Sequence, residues 1–312
     1  MYALKLLLAL LVRNGWMCCL WLGLVVAPVH AWTRAGHMVS GALAYRYLAQ
    51  GHPDVIPQVL ALLKAHPQYA AWEEESRQLA DPSAEVQQQF IFMAAAKWAD
   101  ETRNTPHYHP TWHYVNPPLS ATRQTPVPIA EAQPPENILY AYQRNLGIFR
   151  ADTTAEARAI ALAWLFHLVG DLHQPLHTAA FFSDQFPEGD RGGNLFFIRP
   201  TEADTTINLH YFWDGLVLQS EQPHDVAQAA RRLYQRGKWL PPVALDTLDA
   251  TIYPESYDLA LWAYRHGTLP AGVDRDHGAV LPPDYPNLAR KLAAGRMVLA
   301  GWRLAEVLRQ LV

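Results

Sequence analysis

The stretch that decides the fold is Ala161–Phe181, ALAWLFHLVGDLHQPLHTAAF, which begins as an apolar helix and then becomes polar. His167 and Asp171 are four positions apart, so both side chains lie on one face of a helix. His173 and His177 follow, and the proline between them bends or ends the helix. An imidazole and a carboxylate among Leu, Trp and Phe need a partner that offsets desolvation. A zinc ion is one such partner, and an ordinary hydrogen-bonded core histidine is the simpler alternative.

The same spacing occurs again in Asn208–Asp214, NLHYFWD, where His210 and Asp214 are four positions apart among aromatic residues. Two further candidate ligands stand alone. Asp100 ends an apolar helical pattern, which is typical of a helix-end ion pair, and His113 lies between Trp and Tyr, which is typical of a packing residue. Together with two H-x-x-x-D pairs, however, they supply enough ligands for more than one ion. The sequence therefore predicts a multinuclear zinc site.

Composition restricts the class of protein. The chain has 312 residues, of which 50% are hydrophobic and only 17% charged, and this excludes a disordered or coiled-coil protein. The 29 acidic residues outnumber the 25 Lys and Arg, giving a formal net charge of −4. A globally acidic chain is not a general phosphate-backbone binder of the basic-patch type. Any affinity for nucleic acid must be local and supplied by bound cations.

The N-terminal segment Met1–Ala31 has the pattern of a secretory signal: two positive charges, the apolar run Trp16–Pro28 and a small-x-small cleavage motif. An uncleaved membrane anchor is the alternative, but the run is shorter than the ~20 residues that span a bilayer. Both cysteines, Cys18 and Cys19, lie in this segment, so a chain processed to begin at Trp32 has none. These features predict a periplasmic or secreted bacterial protein without disulfides and without stable membrane insertion after cleavage.

Helical periodicity dominates the remainder. Glu188–His210 is different, because two β-rich runs flank a polar turn and predict a small hairpin. Ala121–Pro135 is predicted to be a polar connection. We therefore expect a mainly α fold, a single helical domain over residues 32–312 with one small β-hairpin. The predicted helices are one opening near Gly36, Pro53–Lys64, Trp72–Leu79, Ala84–Arg103, Glu136–Phe149, Ala155–Leu172, Tyr211–Leu218, Asp225–Arg236, Ser256–Arg265 and Leu288–Leu311.

Six ordered blocks of the sequence carry a family resemblance. They resemble the zinc-dependent single-strand-specific nucleases of the S1/P1 type, which share a helical fold with bacterial zinc phospholipase C. The blocks are Trp32…Gly36-His37, Trp98-Ala99-Asp100, His113-Tyr114, His167-x3-Asp171-x5-His177, Gly192-Gly193-Asn194 and Asn208-Leu209-His210-x3-Asp214.

The resemblance implies a ligand set for three zinc ions. His173 is outside that set, and we expect it to have a structural role. The implied ligands are Asp100, His113, His167 and Asp171 for the first zinc; His177, His210 and Asp214 for the second; and the α-amine and carbonyl of Trp32 with His37 for the third, which Asp171 bridges to the first.

The resemblance also implies an activity, the hydrolysis of single-stranded DNA and RNA to 5′-phosphorylated products by a monomer, with 3′-nucleotidase activity as an addition. Asp100, Arg103 and Asn194 are the implied catalytic residues, the last two as phosphate contacts. Tyr114 is expected to stack on an unpaired base. Asn116 stands where fungal relatives often have a base-reading aspartate, so base preference stays open.

Two other functions remain in competition. One is zinc phospholipase C activity on the same scaffold, and the other is a non-catalytic periplasmic zinc-binding protein. The phospholipase pattern has Glu in the final H-x-x-x-E pair, whereas this chain has Asp214, which favours the nuclease. A storage protein would account for the ligands but not for Arg103, Asn194 and Tyr114 beside them.

Overall fold

The computed structural model describes residues 32–119, 134–151, 154–237, 245–272 and 274–312. The predicted signal segment and most of the predicted connection Ala121–Pro135 lie outside these residues. The described residues confirm the mainly α fold. Their α-helices are α1 Arg34–Gly51, α2 Val55–Leu63, α3 Tyr69–Arg77, α4 Ala84–Lys97, α5 Ile138–Arg150, α6 Ala155–Leu172, α7 Leu209–Asp214, α8 Pro223–Tyr234, α9 Leu248–Ala263 and α10 Tyr285–Leu311.

Helix α6 is the centre of the fold and has the predicted bounds. It begins where the Thr154 hydroxyl accepts the Ala157 N–H at 3.1 Å. From Ala161 to Leu172 every residue is buried, because the sequence there is apolar on all faces and α4, α5 and α10 pack around it. A tight 3₁₀ turn, Pro175–His177, follows the helix, so the polar end of the stretch lies in the interior.

Helix α1 brings the N-terminal block to the polar end of α6. The hydroxyl of Thr33 caps α1 by accepting the Gly36 N–H at 3.2 Å. The helix then packs closely against its neighbours: a methyl group at Gly41 would lie 2.4 Å from the Phe92 carbonyl oxygen. Trp32 is fully buried, and its indole N–H donates to the Gly170 carbonyl at 3.0 Å.

Five short strands accompany the helices in the described residues. The predicted hairpin is confirmed as β3 and β4, which pair antiparallel. Two parallel pairings, β1 with β2 and β3 with β5, were not predicted, since each joins two or three residues from distant segments and has no local pattern. The strands are β1 Pro118–Leu119, β2 Ala180–Phe181, β3 Phe197–Arg199, β4 Ile207–Asn208 and β5 Ala279–Val280.

Helix boundaries differ most from the sequence predictions at three places. The predicted helix Ala84–Arg103 ends at Lys97, and a 3₁₀ turn, Trp98–Glu101, continues from it. Helix α9 begins eight residues before the expected start at Ser256, and Pro254 lies inside it. Helix α7 is short and starts at Leu209, capped by Asn208. In the part of the chain that the structure describes, no helix is both long and apolar enough to cross a membrane.

Candidate metal centre

Three imidazoles converge on the carboxylate of Asp171 at the end of α6. His37 Nε2 lies 3.1 Å from Oδ1, and His113 Nδ1 and His167 Nε2 lie 3.1 and 3.0 Å from Oδ2. Asp100 Oδ1 is 3.7 Å from His167 Nε2 and 4.0 Å from His113 Nδ1. Ligand atoms of tetrahedral zinc are about 3.4 Å apart, given metal–ligand bonds of about 2.1 Å. The first set of predicted ligands is thus brought together, with His37 beside it.

A second cluster lies at the junction of the Pro175–His177 turn and α7. The Nε2 atoms of His177 and His210 are 3.1 Å apart, and Asp214 Oδ2 is 3.5 Å from His210 Nε2. The side chain of Gln174 donates to the other oxygen of Asp214 at 2.8 Å. These three predicted ligands of the second zinc are therefore also brought together.

Backbone carbonyls fix how three of the histidines face these clusters. The Nδ1 atom of His167 lies 2.9 Å from the Ala96 oxygen, that of His177 lies 2.5 Å from the His113 oxygen, and that of His210 lies 2.6 Å from the Gly192 oxygen. A carbonyl oxygen only accepts, so each Nδ1 must carry the proton, and a neutral ring then has its lone pair on Nε2. All three Nε2 lone pairs therefore point into a cluster, as metal ligation requires.

The contact between His37 and Asp171 tests whether these residues fit a metal. Both side chains are fully buried, and 3.1 Å separates Nε2 from Oδ1. Even so, neither atom has a partner in hydrogen-bond geometry among the described residues. A buried polar atom without a partner costs about 1–3 kcal/mol. A cation bound by both atoms removes that cost, so the residues present fit zinc.

Burial and charge shift the pKa values of the clustered groups in opposite directions. Burial lowers the pKa of His177 to about 3 and that of His37 below its ordinary value, so both rings are neutral, as metal ligation requires. Burial opposes charge on His167, but the carboxylates of Asp171 and Asp100 outweigh it and raise its pKa to about 9. Burial raises the pKa of Asp214 well above its usual range. Metal binding must displace protons from these last two groups.

The structure groups the candidate ligands only partly as the family resemblance divides them among three zinc ions. In each of three groups the ligand atoms lie within 4.8 Å of one another. His37 is grouped with Asp100 and His167, whereas the resemblance assigns it to a separate ion with Trp32. Trp32 stands at the start of α1, and its neighbour Thr33 donates a backbone N–H to the Asp214 carbonyl at 3.4 Å. The groups are His37, Asp100 and His167; His113, His167 and Asp171; and His177, His210 and Asp214.

The predicted substrate residues lie at the edge of the clusters. Tyr114 and Asn116 are half-buried just after His113, and Asn194 is half-buried with its amide donating to the Arg191 carbonyl at 2.9 Å. Arg103 is exposed, and in the described ranges no hydrogen bond or ion pair holds it. The side chains proposed to contact substrate are thus accessible, while those proposed to bind metal are buried.

Two residues that support the site were missed by the sequence analysis. Gln174 orients Asp214, and its position between two histidines of the central stretch was the available signal. Asp190 holds the glycine-rich bend, because its carboxylate accepts the Phe181 N–H at 2.8 Å and the Tyr264 hydroxyl at 2.6 Å. Gly192 in that bend has φ +62°, and a methyl group there would lie 2.4 Å from the Leu176 oxygen. The bend thereby delivers the Gly192 carbonyl to His210.

Comparisons with known proteins point to one family. A model of the family described as S1/P1 Nuclease matches residues 32–312. Several curated proteins of Arabidopsis thaliana are similar. "Endonuclease 3" is 25% identical over 92% of this chain and 95% of its own length, and "Endonuclease 2" is 21% identical over 65% and 61%. "Endonuclease 4" is 32% identical, but the match spans only 33% of this chain and 28% of that protein.

Proposed function

We propose that this chain, which belongs to the S1/P1 nuclease family, is a zinc-dependent endonuclease that cleaves single-stranded DNA and RNA. Family membership supports phosphodiester hydrolysis, and three similar proteins carry the name endonuclease. The observation that carries the zinc dependence is the set of three Nε2 lone pairs that point into buried carboxylate clusters. Single-strand preference, 5′-phosphorylated products and 3′-nucleotidase activity complete the proposal.

The proposed cofactor is three zinc ions, held by the ligands that the resemblance implies. Bound zinc would supply a water of near-neutral pKa, attraction for the phosphate and stabilisation of the leaving oxygen. The third site needs the α-amine of Trp32, so the active protein begins at that residue, as expected for a periplasmic or secreted monomer. Buried His37 and Asp171, whose facing atoms lack hydrogen-bond geometry, support an ion at this end of α1.

Residues at the edge of the clusters are proposed to act on the substrate. The carboxylate of Asp100 would orient the attacking water and accept its proton. The guanidinium of Arg103 and the amide of Asn194 would donate to phosphate oxygens as charge develops there. The half-buried ring of Tyr114 would stack on a base, with Asn116 next to it. Bases in an intact duplex are already stacked, so this contact accounts for the preference for single strands.

A direct assay tests the proposal. Protein processed to begin at Trp32 and loaded with zinc is incubated with single-stranded DNA, RNA and phosphatidylcholine, with and without a chelator. We expect chelator-sensitive release of 5′-phosphorylated nucleotides and no change in the lipid. Lipid cleavage with intact nucleic acid would instead assign the scaffold to phospholipase C. No turnover of any substrate by the zinc-loaded protein would contradict the proposal and leave a storage protein.

A further inference from the structure

A groove of about 600 Å³ lies between the end of α8 and the first half of α10, apart from the metal ligands. Its apolar lining includes Leu216 and Leu233. The charged residues that line it are all cations, and no acidic side chain is among its described lining. These cations are Arg232, Arg236, Arg290 and Lys291.

The cations of the groove keep their charge available. All four are exposed, and none forms an ion pair within the described part of the chain. Arg232 donates to the amide oxygen of Gln228 at 2.6 Å, and Arg290 donates to that of Asn287 at 3.1 Å. These neutral partners orient the guanidinium groups, although Arg232 also lies near enough to Asp225 to help lower the pKa of that carboxyl. Within the described residues, four cations without an ion pair thus line one groove of a chain whose formal net charge is −4.

The helix dipoles favour the groove cations at the end of α8 but not those at the beginning of α10. The dipole of α8 favours cations near its C-terminus, where Arg232 lies. Arg290 and Lys291 lie near the beginning of α10, where the dipole gives cations no support. Like charges lining one groove repel each other. A ligand that carries several negative charges would relieve this repulsion, and four cations can contact more than one phosphate.

One lining residue of the groove, Leu216, lies near the metal centre in the chain. Leu216 is two residues after Asp214, so the two Cα atoms are at most about 8 Å apart. Building on the proposed function, we propose that the groove binds backbone phosphates of a single-stranded nucleic acid outside the nucleotides at the metal centre. Such a contact would raise affinity for long substrates without changing the chemistry on short ones.

Equilibrium binding to the zinc-loaded protein tests this inference. The probe is a fluorescent 20-nucleotide thymidine strand with phosphorothioate linkages, shown on a gel to stay intact, and anisotropy is followed at several salt concentrations. We expect Arg232→Gln with Arg236→Gln, and separately Arg290→Gln with Lys291→Gln, to weaken binding. Each lost phosphate contact reduces the slope of log affinity against log salt concentration by about 0.7. Two lost contacts therefore reduce the loss of affinity caused by a fourfold increase in salt by about 7-fold.

The matched control is Arg231→Gln with Arg275→Gln, which removes two exposed cations outside the groove. It should bind the strand like the wild type, and all three variants should keep wild-type turnover of a dinucleotide. Unchanged binding and slope in both groove variants would overturn the inference. So would failure of the wild type to bind the strand, or cation-dependent binding of anionic phospholipid vesicles in its place. A wild type that binds the strand through the groove but hydrolyses nothing would refute the proposed function alone.

Discussion

Two buried polar clusters meet at the end of α6, two residues apart in sequence, and they differ in how completely they are hydrogen-bonded. Around Asp171, three imidazoles approach one carboxylate, and the atoms that face each other across the His37–Asp171 contact lack hydrogen-bond geometry. Around His173, both ring nitrogens have hydrogen-bond partners. Its Nδ1 donates to the Val169 carbonyl at 2.6 Å, and its Nε2 accepts from Arg303 at 3.0 Å.

The network around His173 continues to further partners in the same way. The carboxylate of Glu255 accepts from Arg303 at 2.7 and 2.8 Å and from Arg296 at 2.8 Å. Ser256 accepts from Arg296 at 2.7 Å and donates to the Leu172 carbonyl at 2.5 Å. The comparison teaches that burial and residue type do not distinguish a metal ligand from a structural histidine. The partner of Nε2 does: for His173 it is an arginine N–H, whereas for His167 it is a carboxylate and for His177 a second imidazole.

The largest effect should come from Asp171→Asn, which keeps the shape of the side chain and removes the charge on which three imidazoles converge. We expect loss of at least one zinc ion and a fall in kcat/KM of about 100-fold or more, because ligand orientation and charge neutralisation fail together. Metal analysis and initial rates on a single-stranded substrate measure this. Full zinc content with normal turnover would show that the cluster at Asp171 is structural.

Arg303→Met should disrupt the hydrogen-bonded cluster around His173. We expect it to lower the free energy of unfolding without affecting catalysis. It leaves the Nε2 lone pair of His173 unpaired and removes an ion-pair partner of Glu255. We expect a loss of about 1–3 kcal/mol, below the range for fully buried pairs because the Glu255 side chain is 37% exposed. Urea unfolding measures the loss, and zinc content should stay unchanged.

The control on the same helix is Arg309→Met, which removes an ion pair between Glu306 and an arginine that is itself 37% exposed. Its effect should be within about 1 kcal/mol of zero. If Arg303→Met lost zinc while its urea midpoint stayed at the wild-type value, the two clusters would be one functional unit and the contrast between them would fail.

Gly170→Ala should affect the His37 side of the metal centre. A methyl group at this position would lie 2.9 Å from Nδ1 of His37 and 3.1 Å from its Cε1, so the ring must move. We expect weakened binding of one zinc ion and a stability loss of about 1–3 kcal/mol from overpacking. Gly147→Ala on α5 is the matched control, since nothing lies within 4 Å of its added methyl group. That variant should be as stable as the wild type or up to about 1 kcal/mol more so.

The sequence predicts much of the fold and the structural role of His173, but not the packing contacts that distinguish the two clusters. Periodicity gives α6 its bounds, because an apolar run with a proline after it has few other conformations. The paired His–Asp spacings give the second cluster, since both members lie on one short helix. The approach of His37 and His113 to Asp171 depends on packing between distant segments, and only the family resemblance pointed to it. Likewise, no local pattern indicates that Arg303, 130 residues away, completes the hydrogen bonding of His173.

A further effect concerns pH, and it separates the two clusters when zinc is removed. The folded-state pKa of His167 is about 9, raised by Asp171 and Asp100 against the effect of burial. A folded pKa above the unfolded value of about 6.5 gives stability that is complete below pH 6.5 and is lost as pH rises through about 9. Asp214, whose pKa burial also raises, acts in the same direction.

The histidines with lowered pKa values, including His173, are neutral in both states above about pH 7.5 and add no slope there. The chelated protein should therefore lose stability between about pH 7.5 and pH 9, whereas the zinc-loaded protein should not, because zinc replaces the proton on His167. Urea unfolding at several pH values, with and without chelator, measures both curves. Parallel curves would mean that His167 carries no proton that zinc must displace, and the assignment of its Nε2 lone pair to the metal would then be wrong.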